Sequence, residues 1–315
     1  MCLIRRLSPA TCSLFVLLFF LFTACSGADP EPSDNDSNGE NGMEIDCDSS
    51  DCAQYVSAGA DHTCALDGTD QIRCWGDNER TQLDAPEGTF SQLSVGRHRS
   101  CALDEAGSVE CWGHDSNSLY DIPDTEFSEV STGTDHACGI NAHSDQLECW
   151  GAGVDGETMP PDGRFRQVSS GDYYSCGIDW EDTVYCWGDN RHGQSDPPAG
   201  DFESINAGHG HACALEEDGT IQCWGQDGPE GEGRTDPPDG NYTQVSTGVA
   251  VACAIDNDGE IYCWGRDDDG RTDAPEGRFA QVSVGQSHSC AVDHQGQVEC
   301  WGVDEYGEAT PTVGS

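Results

Sequence analysis

Residues 100–113 read SCALDEAGSVECWG, two cysteines with nine residues between them and Trp-Gly directly after the second. Close variants occur seven times, pairing Cys64 with Cys74, Cys101 with Cys111, Cys138 with Cys149, Cys176 with Cys186, Cys213 with Cys223, Cys253 with Cys263 and Cys290 with Cys300. The copies recur about every 37 residues, which marks a repeat architecture. Inside a copy the apolar residues alternate, as in a strand. An antiparallel hairpin that sets Cys101 opposite Cys111 must set Leu103 opposite Val109, because both pairs have the same index sum. The same rule pairs Leu66 with Ile72, Ile140 with Leu147, Ile178 with Val184, Leu215 with Ile221, Ile255 with Ile261 and Val292 with Val298. The third copy keeps the rule because its extra residue falls in the turn. Two independent features therefore fix one register, and it sets each cysteine pair close enough for a disulfide.

The turns between these strands, such as DEAG, EEDG and DNDG, carry the Asp and Gly that tight turns favour. Upstream lies a further short strand, FSQLSVG at 90–96 and FAQVSVG at 279–285. A fourth is expected on an edge near the proline-containing segments typified by TDAPEG, since proline is confined to edges. The hairpin is apolar on both faces, with Leu, Val and cystine on one and tryptophan on the other. Such a sheet needs two neighbours, and a closed ring of like sheets supplies them. No capping copy with a polar outer face is present to end an open solenoid. The expected fold is all-β, a seven-bladed β-propeller with one hairpin disulfide per blade, its repeats at 53–90, 91–127, 128–165, 166–202, 203–242, 243–279 and 280–315.

The run GADHTCALDGTDQIRCWGDN at 59–78, with its copies, resembles the repeats of the regulator of chromosome condensation family. The resemblance covers residues 53–315 and implies a seven-bladed propeller. Cysteine-paired versions of the repeat are similar to those of secreted bacterial proteins. The family's namesake activity, exchange on a small GTPase, is not carried over. This chain reads as exported, is strongly acidic and has no long insertion between repeats.

Residues 1–24 read as a secretory signal: Arg5 and Arg6 precede an unbroken apolar run from Leu14 to Phe22, too short to span a bilayer. The following LFTAC resembles the lipobox of bacterial lipoproteins, which implies lipidation of Cys25 and an outer-membrane or cell-surface location. Residues 25–52 read as a tether, acidic and poor in apolar side chains, with Cys47 and Cys52 closing a small loop. DNDSNG at 34–39 starts like a calcium loop, but Ile45 stands where that loop needs glutamate. Of 19 cysteines, sixteen remain once Cys2, Cys12 and Cys25 are set aside, an even number suited to eight bridges.

The chain of 315 residues has 59 acidic and 13 basic residues, all of the latter arginine, for a net charge of −46. Such a surface repels phosphate backbones, so nucleic acid is excluded as a partner. The cysteine spacing is that of a hairpin, not of a metal site. His62, His136, His211 and His288 share the place two before the first cysteine, where the other copies have Arg99, Tyr174 and Val251. They read as packed structural residues, and no metal and no cofactor are expected. No nucleophile elbow, metalloprotease helix or phosphate-binding loop is present.

Variation between copies points instead to an interaction rim. The loop after each recurring glycine, with its flanks, offers Asp61, Arg97, His98, Arg99, Asp135, Tyr173, Tyr174, His209, Val249 and Gln286, and the unrepeated Trp180 adds an aromatic. The expected function is a non-catalytic, monomeric envelope scaffold that binds a protein or glycan and touches the membrane only through its lipid. The alternatives are a glycan hydrolase or lyase with carboxylates in the central channel, and a secreted-type enzyme inhibitor.

Overall fold

The computed structural model describes residues 45, 47–114, 121–228 and 231–314. The signal segment, Cys25 and most of the tether lie outside the described residues. Residues Met43–Ser315 form one compact unit. It contains seven three-stranded antiparallel sheets, each made of consecutive strands.

The inner, middle and outer strands are Ala53–Ala58, His62–Asp67 and Ile72–Gly76 in blade 1, and Gln92–Val95, Arg99–Leu103 and Val109–Gly113 in blade 2. Blade 3 has Phe127–Thr132, His136–Asn141 and Leu147–Gly151, and blade 4 has Phe165–Ser170, Tyr174–Asp179 and Val184–Gly188. Blade 5 has Phe202–Ala207, His211–Glu216 and Ile221–Gly225, and blade 6 has Tyr242–Thr247, Val251–Asp256 and Ile261–Gly265. Blade 7 has Phe279–Val284, His288–Asp293 and Val298–Gly302. The fourth strand expected near the prolines does not form among the described residues. Segments such as Pro160-Pro161 and Pro197-Pro198 offer two successive residues with no N–H for a ladder.

Middle and outer strands pair in the register expected from the sequence, Cys101 with Cys111 and Leu103 with Val109, and likewise in the six other blades. The Cα atoms of each blade's cystine are 4.0–4.1 Å apart, the narrow spacing of a non-hydrogen-bonded pair. Cys47 and Cys52 form an eighth bridge. In six blades a bulge interrupts the inner strand after its first residue. In blade 4 it lets Phe165 and Val168, three apart, face the same core while Gln167 and Ser169 face the central channel.

The core consists of seven clusters, each built by two successive blades. Cys176, Ile178 and Val184 of blade 4 pack on Phe202, Ile205 and Trp224 of blade 5. The ring closes the same way, with Cys290, Val292 and Val298 of blade 7 against Val56, Ala65 and Trp75 of blade 1. In six blades the indole N–H of the tryptophan after the second cysteine donates to a carbonyl of the loop arriving from the preceding blade, as Trp224 does to Gln194 at 2.9 Å and Trp75 to Glu308 at 2.9 Å; Trp150 of blade 3 has no such partner among the described residues.

Inner strands of successive blades belong to separate sheets, and side chains bridge them. Ser57, Ser94, Ser131, Ser169, Asn206, Ser246 and Ser283 each accept a backbone N–H from the next blade, at 2.7–3.1 Å. This satisfies donors that an isolated three-stranded sheet would leave unpaired.

Candidate functional site

The loops joining inner to middle strands surround one mouth of the channel. In all seven the glycine N–H donates to the carbonyl three residues on, as from Gly59 to His62 and from Gly133 to His136, both at 2.9 Å. The glycines also form a ring. A Cβ on Gly133 would collide with the carbonyl oxygen of Gly171, one on Gly171 with that of Gly208, and so round to Gly285 against Gly59. Only glycine fits such a backbone approach. The loops therefore share one backbone and differ in the two side chains that follow.

A mouth cavity of about 90 Å³ is lined by these glycines together with Arg97, Asp172, His209, Val249 and Gln286. Around it, Thr134 Oγ1 donates to Asp172 Oδ1 at 2.6 Å, and His209 Nε2 lies 2.7 Å from Asp172 Oδ2. Burial, then the nearby Asp77 and Glu308, pushes the Asp61 carboxyl up. Burial, then the Arg97 charge, holds His98 down at about 4, so it is neutral at pH 7 beside Asp61. The phenol of Tyr173 is raised by burial and by Asp172 and Asp135. Arg97 is exposed, and among the described residues no carboxylate lies within ion-pair distance of it.

Asp61, Arg97, His98, Asp135, Tyr173, His209, Val249 and Gln286 are thus gathered at one mouth. Three expectations need correction. Arg99 is 1% exposed and Tyr174 0%, so neither faces a partner from the rim. Both act between blades: an Arg99 guanidinium N–H donates to Asp135 at 3.0 Å and the Tyr174 hydroxyl donates to the His211 carbonyl at 2.6 Å. Trp180 is exposed but sits in the turn that ends the middle strand of blade 4, at the opposite end of that strand from Tyr173.

The recurring histidines occupy the same boundary. His62 Nε2 lies 2.9 Å from Ser100 Oγ, His136 Nε2 2.7 Å from Ser175 Oγ and His288 Nε2 2.6 Å from Thr63 Oγ1, in each case on the next blade. Where the next blade has alanine instead, at Ala137 and Ala212, the position holds the longer Arg99 and Tyr174. His211, for which the equivalent position of the next blade is Ala252, has neither ring nitrogen bonded. Burial lowers His62 and His211 to about 3 and His136 and His288 to about 4. Among the described residues no three His, Cys, Asp or Glu side chains are grouped to hold a metal.

The channel behind the mouth, of about 270 Å³, is lined by the inner strands, and the surface they expose to it is almost all polar, with the hydroxyls of residues such as Ser94 and Ser131 and the amides of Gln92 and Gln167 among its lining. Glu129 is the one carboxylate among its described lining residues, and burial raises it to about 7. Glycoside hydrolysis of the usual kind needs two carboxyls flanking one bond, and this lining supplies one. Neither Glu129 nor Tyr55, which lies on the same ring, stood out in the sequence. The available signal was their departure from the glutamine found at the equivalent Gln92, Gln167, Gln244 and Gln281.

The regulator of chromosome condensation (RCC1) repeat matches residues 54–82, 165–194, 202–231, 242–271 and 279–308. No curated protein matches the sequence. Among solved structures, the CRINKLY WD40 ectodomain of the Arabidopsis thaliana receptor kinase ACR4 is similar, with 25% identity and a TM-score of 0.67 over 82% of this chain and 97% of that one. The ectodomain of the Physcomitrella patens receptor kinase CR4 is 21% identical with a TM-score of 0.66, over 80% of this chain and 73% of its own. Human WBSCR16 is 16% identical with a TM-score of 0.62, over 75% and 85%.

Proposed function

We propose, from the premise that this chain belongs to the regulator of chromosome condensation repeat family, that it is an exported, non-catalytic scaffold that binds a protein partner at the glycine-ringed mouth. The observation that carries this reading is the set of seven loops with one backbone and divergent side chains, in which Arg97 stands exposed with no ion-pair partner among the described residues, in a chain of net charge −46. A rigid frame with variable tips is how scaffolds present contacts, and arginine and tyrosine are the usual anchors of interfaces. Arg97 suits an acidic group on the partner, and Tyr173, two blades away, supplies apolar area with a polar tip. The disulfide in every blade suits an oxidising compartment, as does the likeness to a receptor ectodomain. Lipidation at Cys25 and the acidic tether would hold the propeller at a bacterial outer membrane or cell surface.

The test is capture of envelope proteins by the oxidised chain, with dissociation constants measured for any partner identified. Arg97→Ala and Tyr173→Ala should each weaken binding about tenfold or more, the loss of roughly 1.4 kcal/mol or more that an interface anchor gives. Trp180→Ala, at the other end of its strand, should leave binding unchanged. Loss with Trp180→Ala and none with the other two would move the interface to the opposite face.

A further inference from the structure

We propose that the central channel binds a primary ammonium group between the Glu129 carboxylate and the Tyr55 hydroxyl. This site is separate from the rim, and it would stand if the rim bound nothing. At this ring of the channel, blades 2, 4, 6 and 7 have glutamine, whose side-chain oxygen accepts a backbone N–H from the next blade at 2.8–3.1 Å. Glu129 Oε1 makes the same bond, to Val168 N, at 3.3 Å. A glutamine would serve the fold equally well, so the fold gives no reason for an ionisable group here. The charge is costly where it stands, since burial raises the carboxyl to about 7. A residue that costs stability at a position where the repeat already has a neutral solution points to a ligand.

The surroundings select the class of ligand. Tyr55 and Glu129 line the same channel, and burial, then the Glu129 charge, raises the Tyr55 phenol. They are the only ionisable groups among the described residues lining it. The rest of the accessible lining offers hydroxyls and amides and almost nothing apolar, so an apolar ligand would gain little there. Calcium takes six or more oxygens, usually with several carboxylates, and one carboxylate does not provide that set. With Oε1 already accepting from Val168, the other carboxylate oxygen has no hydrogen-bond partner among the described residues. That favours the three-donor ammonium over the planar guanidinium fork, which prefers both oxygens. The nearest protein cation, Arg166, is occupied by Asp182 and by the carbonyls of Phe202 and Glu203. The net charge of −46 draws cations toward the protein and its polar channel.

The ammonium could come from a free amine or from a lysine side chain, and the probes separate these. Calorimetric titration of the oxidised protein at pH 8 with n-butylammonium, and separately with Nα-acetyl-lysine amide, is expected to show one saturable site for at least one of them. Preference for the first assigns a small amine and preference for the second a lysine side chain. Glu129→Gln, which restores the residue of four other blades, should weaken that site at least tenfold. Asp267→Asn, on the exposed surface, should leave it intact. In the wild type at pH 6, the ¹³C resonance of the Glu129 carboxyl should move to its ionised position as the amine is added. Equal binding by wild type and Glu129→Gln, or a carboxyl resonance that does not respond, overturns the proposal. So does weak uptake at many sites that Asp267→Asn reduces as much as Glu129→Gln.

Discussion

A buried histidine is only as stable as the partner the next blade offers it. His62, His136 and His288 meet a serine or threonine hydroxyl across the blade boundary, whereas at the equivalent position of the blade after His211 stands Ala252, and both His211 ring nitrogens are unbonded at 0% exposure. An unsatisfied buried polar atom costs roughly 1–3 kcal/mol, and supplying its partner recovers a comparable amount. Ala252→Ser should therefore raise stability by about 1 kcal/mol in urea unfolding, and Ser100→Ala, which orphans His62, should lower it by at least as much. The same four histidines set a pH dependence. Their folded pKa values of about 3 to 4 lie below the ordinary 6.5, so between these limits the unfolded chain binds protons that the folded one does not. Stability should thus fall as pH drops from 6.5 toward 5, by up to about 1.4 kcal/mol per pH unit for each histidine. Glu129 acts oppositely, because its folded value of about 7 lies above the ordinary 4.5 and the folded state keeps a proton the unfolded state loses. Glu129→Gln should steepen the slope by about one proton, and unfolding curves at pH 5.0, 5.75 and 6.5 would show whether it does.

At the scale of the strand, the hairpin was legible and the ring of inner strands was not. Cysteine pairs and Leu–Val pairs constrain one register twice, so no alternative survives a one-residue slip, and the structure has that register in every blade. The polar residues of the inner strand carry no such redundancy. Ser94 and Gln92 look like the wet face of an ordinary half-buried strand, and only the closed ring reveals that they bond to Thr132 and Val130 of the next blade. The histidine rule lay in the sequence as a pairing of positions about 38 residues apart. It can be read only once successive copies are known to be neighbours. Arg99 and Tyr174 were misplaced for the same reason: beside exposed loop residues they read as rim, yet they replace histidines at a boundary where the next blade has alanine. The fourth strand failed on local chemistry. Its segments instead fold onto the next blade, where carbonyls such as that of Gln194 meet the tryptophan indole.

Across the whole propeller, the first and last blades meet by the contacts that join any two blades. Among the described residues no strand is shared between the two: blade 1 is built from residues 53–76 and blade 7 from 279–302. Their boundary has the Ser283 bond to Ala58 N at 2.9 Å, the Gln281 bond to Val56 N at 3.1 Å, the glycine contact and the Trp75 bond to the Glu308 carbonyl, each with counterparts at interior boundaries. Gly314 N donates to the Asp51 carbonyl at 3.2 Å, so the two ends of the propeller are adjacent. If closure has no special energetics, the break in the chain can be moved. A circular permutant that joins residue 314 to residue 47 through a short Gly-Ser linker and opens between Ala199 and Gly200, both exposed, should keep all seven blade disulfides. It should unfold in a single transition with a midpoint within about 5 °C of the parent, since a boundary altered by 1 kcal/mol moves a domain of this size by only a few degrees. Calorimetry on both proteins decides it. Two separated transitions in the permutant would mean that the natural ends lock the ring in a way that the interior boundaries do not.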